Sequence, residues 1–184
     1  GTEVSSGDNT VAVDTTAPSI DSIAITATES DGTTKTDTLV AGDKVVATIT
    51  PDDSGAVVTD NNDATLDLVV GSNTRQASLT DATDGVLTFE YTVASGDTDD
   101  AGGITVDTDA ITLNNTTVED AAGNAADLSG TEVTASTNSV TVDTTAPIIT
   151  SNATLLACSG AGTQSYSLNA TDPSNADFVG TWAA

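Results

Sequence analysis

The chain has 184 residues, of which 28 are acidic and three are basic, and its formal net charge is −25. A charge of this size and sign disfavours nucleic acids and anionic membrane surfaces as partners. No apolar run approaches the roughly 20 residues that span a membrane, so membrane insertion is not expected. The chain has one cysteine, Cys158, and no histidine. An internal disulfide and histidine-based catalysis are therefore excluded.

Two explanations compete for the acidity. A carboxylate-rich surface keeps a protein soluble in salty surroundings, because each charged group is solvated. Clustered carboxylates also bind divalent cations, since a cation between them removes their mutual repulsion. The remaining composition is rich in Thr and Val, which favour strands, and in Asp and Gly, which favour turns. This composition predicts an all-β protein.

The first residues of the chain return later as a repeat. Residues 1–20 align without a gap on residues 130–149, with 13 identical positions and an offset of 129. Both copies contain Val-Asp-Thr-Thr-Ala-Pro, at residues 13–18 and 142–147. We call this hexapeptide the seam, because such a spacing is typical of tandem modules and the seam would join them. Proline fixes its own φ and keeps the preceding residue extended, so a short, stiff connection is expected.

Alternating apolar residues predict seven short strands between the two seams. The clearest alternation lies in residues 87–93, and Asp31-Gly32 and Asp84-Gly85 mark turns. The residues expected on inward faces are Ile23, Ile25, Ala27, Val45, Ala47, Ile49, Leu66, Leu68, Val70, Arg75, Ala77, Leu79, Leu87, Phe89, Tyr91, Val93, Ile104, Val106, Ile111, Leu113, Val140 and Val142. Seven strands with turn signals between them predict an immunoglobulin-like Greek-key β-sandwich, with no helix required.

The repeat divides the chain into three parts. Residues 1–13 match the last strand of a module, so they are either the end of a preceding module or a donor strand. Residues 14–143 form the complete sandwich. Residues 144–184 begin a second, partial β module, because they are too few for a full sandwich.

Several motifs occur in an order that resembles a known family. They are Leu-Thr-Phe-Glu-Tyr-Thr-Val at residues 87–93, Ser-Gly-Asp-Thr-Asp-Asp at 95–100, Ile-Thr-Leu-Asn at 111–114, Val-Glu-Asp-Ala-Ala-Gly-Asn-Ala-Ala-Asp-Leu at 118–128, and the seam. Together they resemble the bacterial immunoglobulin-like repeats of giant secreted adhesins and cell-surface proteins. The resemblance covers about residues 1–150. It implies an extracellular stalk whose junctions are commonly stiffened by calcium.

The expected topology also brings acidic residues together at the two ends of the sandwich. Asp14 would lie near the loops that hold Asp52, Asp53, Asp120 and Asn124, and Asp143 near the loop that holds Asp97, Asp99 and Asp100. Calcium takes about six to eight oxygen ligands from carboxylates, amides, carbonyls and water. The candidate metal ligands are therefore Asp14, Asp52, Asp53, Asp97, Asp99, Asp100, Asp120, Asn124 and Asp143, with structural Ca²⁺ as the expected ion.

Three functions remain open on the sequence. The first is a non-catalytic, calcium-stiffened spacer in a tandem array of an extracellular bacterial surface protein, with neighbouring modules as partners. The second is a subunit of a filament or surface layer, assembled head-to-tail with identical subunits by β-strand donation. The third is a module that binds a carbohydrate or a surface receptor. Catalysis is not expected, because no base accompanies Cys158 and no aromatic sugar platform accompanies the paired acids.

Overall fold

A computed structural model describes residues 13–53, 55–59, 63–99, 103–130, 133–134, 138–149 and 170–171. The described chain consists of β-strands joined by turns and loops, with one three-residue 3₁₀ turn, which confirms the all-β prediction. The strands are β1 (Ile20–Thr28), β2 (Lys44–Pro51), β3 (Val57–Thr59), β4 (Thr65–Val70), β5 (Asn73–Asp81), β6 (Leu87–Thr92), β7 (Thr98–Asp99), β8 (Ile111–Thr112), β9 (Thr117–Glu119), β10 (Val142–Asp143), β11 (Ile148–Ile149) and β12 (Ala170–Thr171).

Six strands form a curled antiparallel sheet in the order β1-β2-β6-β5-β4-β8. The strand β5 connects the two halves of this sheet. Its residues 73–78 pair with β4, whereas Ser78 to Asp81 pair with β6, with a register shift between Leu79 and Asp81. Because β5 changes partner along its length, the sheet curls instead of extending flat.

Short pairings continue the sheet beyond β4. Thr105 forms an antiparallel bridge with Val69 of β4, and Val106 forms another with Val133. The strand β10 pairs with β7, and its Val142 also forms a parallel bridge with Leu39. The segment that leads to the second seam is therefore attached on both sides. A separate two-stranded sheet joins β3 and β9.

A single apolar core of the described residues lies inside the curl. The alternation identified most of its residues but missed Leu39, Ala56, Ala64, Val118 and Val133. Leu87, Phe89 and Val93 are buried, and Tyr91 on the same face is partly buried. Phe89 is fully buried and lies opposite the small Ala47 of β2 and Leu79 of β5. The small residue leaves room for the ring, so the core closes around the largest side chain that it contains.

The last two predicted strands are more broken than expected. The sixth is interrupted between Val106 and Ile111, where Asp109 has a φ of 60°. Among the described residues of the seventh, the named strand is β10. A left-handed residue cannot continue a ladder, so the chain turns there.

The predicted turn at Asp84-Gly85 is present as part of a three-residue 3₁₀ turn, Thr83–Gly85. Gly85 has a φ of 80°, and a Cβ there would lie 2.7 Å from the carbonyl oxygen of Ala56, so only glycine fits. No helix in the described ranges is long and apolar enough to cross a membrane.

The predictions for the two flanks fall largely on residues that the structure does not describe. Residues 1–12 lie outside the described ranges, so the predicted terminal or donor strand stays a prediction. Of residues 144–184, the structure describes 144–149 and the pair β11–β12, in which Ile148 lies opposite Thr171.

Candidate functional site

A seam lies at each end of the curled sheet. At one end β1 begins and β2 ends. We call it the leading end, and it carries the first seam. At the other end β2 begins and β10 finishes beside Leu39. We call it the trailing end, and it carries the second seam. In a tandem arrangement, the trailing end of one module would face the leading end of the next.

Asp52 binds the residue that follows the first seam. Its carboxylate accepts hydrogen bonds from the backbone N–H and the hydroxyl of Ser19, both at 2.8 Å, and its own N–H donates to the Ser19 carbonyl at 2.9 Å. The hydrogen bonds from Ser19 lower the pKa of Asp52 below its ordinary value. One step earlier, the buried Pro18 accepts a hydrogen bond from the Asp127 N–H at 2.8 Å. The downstream half of the seam is therefore fixed to the leading end.

Asn124 reaches the upstream half of the same seam. Its side-chain amide donates to the carbonyl of Asp14 at 3.2 Å and to that of Thr16 at 3.5 Å. Asp120 orients this amide, because one carboxylate oxygen accepts from the amide at 2.7 Å and the other from the Asn124 N–H at 2.8 Å. These contacts with Asn124 lower the pKa of Asp120. Asn124 thus holds the seam backbone with a neutral donor.

Thr144 anchors the second seam at the trailing end. Its hydroxyl donates to the Asp97 carbonyl at 2.9 Å and accepts from the Gly96 N–H at 2.8 Å. The neighbouring Asp143 N–H donates to the Leu39 carbonyl at 2.9 Å, and Val142 is fully buried. The strand β10 therefore forms the first two residues of the second seam, and hydrogen bonds also fix the next residue, Thr144.

The side chain of Asp97 is engaged inside the same end. One oxygen accepts from Arg75 Nε at 2.7 Å and lies 2.6 Å from Arg75 Nη2. The other accepts from the Tyr91 hydroxyl at 2.5 Å and from the Ala94 N–H at 2.9 Å. Burial alone would raise the pKa of Asp97, but the hydrogen bonds from Tyr91, Ala94 and Arg75 outweigh it and lower the pKa. Asp97 is a buried ion-pair partner that shapes the loop holding Thr144.

All three basic residues of the chain are paired with carboxylates. Besides Arg75, Lys35 Nζ lies 2.8 Å from Asp43 and Lys44 Nζ lies 2.8 Å from Glu90. Burial opposes ionisation of Asp43, but the Lys35 and Val40 donors still lower its pKa, and its hydrogen bond raises the pKa of Lys35. An arginine on the inward face of an alternating strand was the sequence signal for such a pair. It did not identify the partner.

Both copies of the seam adopt the same local turn. In the first, Asp14 Oδ1 accepts from the Thr16 N–H at 2.9 Å, and in the second, Asp143 Oδ1 accepts from the Thr145 N–H at 2.8 Å. An aspartate that accepts from the N–H two residues on forms an Asx turn. The repeated sequence therefore produces a repeated conformation, even though the two copies are attached to opposite ends of the module.

The structure distributes the nine predicted metal ligands without gathering them into a metal site. Asp53 accepts from the Gly55 N–H at 2.8 Å, Asp99 is placed only through its backbone in β7, and Asp100 lies outside the described residues. The carboxylates of Asp52, Asp97 and Asp120 have hydrogen-bond donors on both oxygens, as given above. No group of three or more acidic or cysteine side chains able to hold a metal occurs in the described ranges. Calcium binding therefore stays a prediction.

The comparisons with known proteins add no relative. The chain matches no protein-family model, and searches among curated proteins and among solved structures found no significant match. The chemistry of the two ends and the repeat within the chain are therefore the basis for the function.

The lowered pKa of Asp97 leads to a pH prediction for the trailing end. A carboxylate whose folded pKa lies below its unfolded value stabilises the fold above the unfolded value, and this contribution is lost as the pH falls through the folded pKa. We expect the difference in melting temperature between the wild-type chain and Asp97→Asn to be constant above about pH 5 and to shrink below about pH 4. Thermal melts of both chains at each pH measure it, and the subtraction removes the general effect of the surface charge. A difference that grows on acidification would contradict the prediction.

Proposed function

We propose that residues 14–143 form an immunoglobulin-like module of a tandem array, in which the module acts as a non-catalytic spacer. The observation that carries this proposal is the seam. The same hexapeptide occurs at both ends of one folded unit and adopts the same Asx turn at each end. A unit that begins and ends on the same junction sequence can be joined to further copies without any change in its ends.

The order of the strands supports an immunoglobulin-like sandwich. One layer would contain β1, β2, β6 and the second half of β5. The other would contain β4, the segment around Thr105, and Val133. In that fold the second strand pairs with the fifth, and the third lies beside the sixth. The pairs β2–β6 and Val69–Thr105 follow this order. The strand β5 would connect the layers at Ser78.

The location and the metal are proposed on the resemblance to bacterial adhesin repeats. It favours an extracellular surface protein, with calcium at the seams. Asp14 and Asp143 are the residues whose carboxylates lie in the seams themselves, and each uses one oxygen for its Asx turn. A bound ion would add ligands from these carboxylates to the contacts already present.

The spacer proposal predicts that the array grows in length by one module for each repeat. The test protein is this chain with one 129-residue unit duplicated, so that residues 1–147 are followed by residues 19–184. We expect the maximum dimension from small-angle X-ray scattering to increase by about 30–40 Å, since a nine-residue strand spans about 30 Å. The unfolding enthalpy from calorimetry should rise by the contribution of one module.

The spacer proposal would be contradicted if the maximum dimension of the duplicated chain did not exceed that of the original chain. It would also be contradicted if the additional unfolding enthalpy were absent. Sedimentation of the original chain separates the spacer from a filament subunit. A spacer stays monomeric, whereas strand donation produces open head-to-tail fibres.

A further inference from the structure

We infer that consecutive modules dock directly on the seam between them. Asn124 of the following module forms hydrogen bonds with the seam, and the preceding module binds the first threonine of the same seam. This inference rests on the proposed tandem array, and the partner of the leading end is a second module of the same kind. It concerns what aligns the modules, which the spacer function leaves open.

The two seams can be treated as one because their sequences and turns agree. An offset of 129 relates Thr144 to Thr15 and Thr145 to Thr16. The second seam shows how a preceding module holds the hexapeptide, through Leu39, Gly96 and Asp97. The first seam shows how a following module holds it, through Asn124 and Asp127, while Asp52 binds Ser19, the next residue. In an array both sets of contacts fall on a single seam.

The two sets of contacts fall on successive residues of the seam, so no flexible stretch remains between the two modules. The aspartate of the seam donates its N–H to the preceding module, as Asp143 does, and offers its carbonyl to Asn124 of the following one, as Asp14 does. The next threonine is held by the preceding module and the one after it by Asn124. Proline then binds the following module through its carbonyl. Among the described residues, alanine is the one seam position for which the contacts above provide no partner.

Neutral donors make these contacts, so the alignment does not require a cation. The amide of Asn124, the hydroxyl of Thr144 and backbone N–H groups supply the hydrogen bonds across the seam. Three acidic side chains at the two ends, Asp52, Asp97 and Asp120, have protein donors on both carboxylate oxygens. The charge of these three is thus stabilised by donors of their own module, which reduces their contribution to repulsion between the two ends.

The test measures the distance between two modules in the duplicated chain. Gln76 is exposed on β5, so Gln76→Cys in each copy, with Cys158→Ser, provides two sites for nitroxide labels. Pulsed electron paramagnetic resonance then gives the distance distribution, in EDTA and in calcium. We expect a single narrow distribution in EDTA, unchanged by calcium. A broad distribution in EDTA that becomes narrow with calcium would overturn the inference, because the ion would then set the alignment.

Asn124→Ala provides a matched pair of variants. In the second copy it removes the amide that reaches the internal seam, and we expect the narrow distribution to become broad. In the first copy the same change removes the contact with the first seam, at residues 13–18, and the distribution should stay narrow. Both variants lose the same contact with Asp120, so local destabilisation is equal in the two. A narrow distribution in both variants would overturn the role of Asn124.

The distance measurement can contradict direct docking while the spacer proposal still stands. If scattering shows the expected increase in length but the distribution is broad in both EDTA and calcium, direct docking is wrong and the array stands with flexible junctions. If the duplicated chain does not lengthen, the array itself is wrong, and the inference falls with it.

Discussion

Replacing Phe89 with alanine should destabilise the module by about 3–5 kcal/mol, the usual cost of removing a buried aromatic side chain. Phe89 is fully buried, and its strand neighbours are Ala47 and Leu79. Alanine at both 47 and 89 would leave two small residues facing each other across β2 and β6, so a cavity forms that the surrounding strands cannot fill. Urea unfolding followed by far-ultraviolet circular dichroism measures the loss.

The matched control is Val57→Ala. Val57 lies in β3 with 57% of its surface exposed, so its truncation should change the free energy of unfolding by less than about 0.5 kcal/mol. A cost for Phe89→Ala no larger than that of the control would show that the ring does not pack as the structure places it.

Asp97→Ala is expected to cost about 1.5–3 kcal/mol, the usual contribution of hydrogen bonds to a charged group, because it removes a fully buried acceptor whose partner Arg75 is partly exposed. The substitution leaves Arg75, the Tyr91 hydroxyl and the Ala94 N–H unpaired in one step. The loop that binds Thr144 should loosen as well, since the side chain of Asp97 fixes the backbone whose carbonyl Thr144 uses. Denaturant unfolding gives the free energy, and hydrogen exchange at the Gly96 N–H reports the loop.

Two variants check that the effect comes from the buried pair. Asp97→Asn keeps the size and one acceptor oxygen, so its loss should be smaller than that of Asp97→Ala. Asp21→Ala removes the same charge from an exposed position in β1 and should have little effect. If Asp21→Ala costs as much as Asp97→Ala, total charge and not the ion pair determines stability.

The strand faces were predictable because side-chain alternation is local. In residues 87–93 each second residue faces the core, and no knowledge of the partner strand is needed to see it. Alternation likewise predicts Ile25, Ala47 and Leu66 as inward residues, and all three are buried. The pairing of a strand with its neighbours in the sheet, in contrast, depends on residues far apart in the sequence. The division of β5 between β4 and β6 depends on register shifts that leave no pattern in the amino-acid sequence.

The candidate site was predictable in position but not in chemistry. The repeat located the seams, and the expected topology assigned Asn124 to the first and the loop of Asp97 to the second, where contacts now connect Asn124 with Asp14 and Thr144 with Asp97. Asp97 was predicted as a metal ligand because the expected topology placed its loop near Asp143, and that role stays a prediction. Arg75, 22 residues away, is the partner that the structure provides. Ser19 and Thr144 were missed, since Ser and Thr are common in this chain and their hydroxyls carry no distinct pattern.

The sequence by itself determined the all-β class, most of the inward faces of the strands and the existence of a repeated hexapeptide. Each of these depends on residues close together in the chain or on identity between two segments. Only the tertiary structure decided that Ser19 binds Asp52 and that Arg75 binds Asp97, because these donors come from distant parts of the chain. Asp52 accepts a hydrogen bond from Ser19, 33 residues away, and the Gly96 N–H donates to the hydroxyl of Thr144, 48 residues away. Such contacts form only when the sheet has curled and brought its loops together at the two ends.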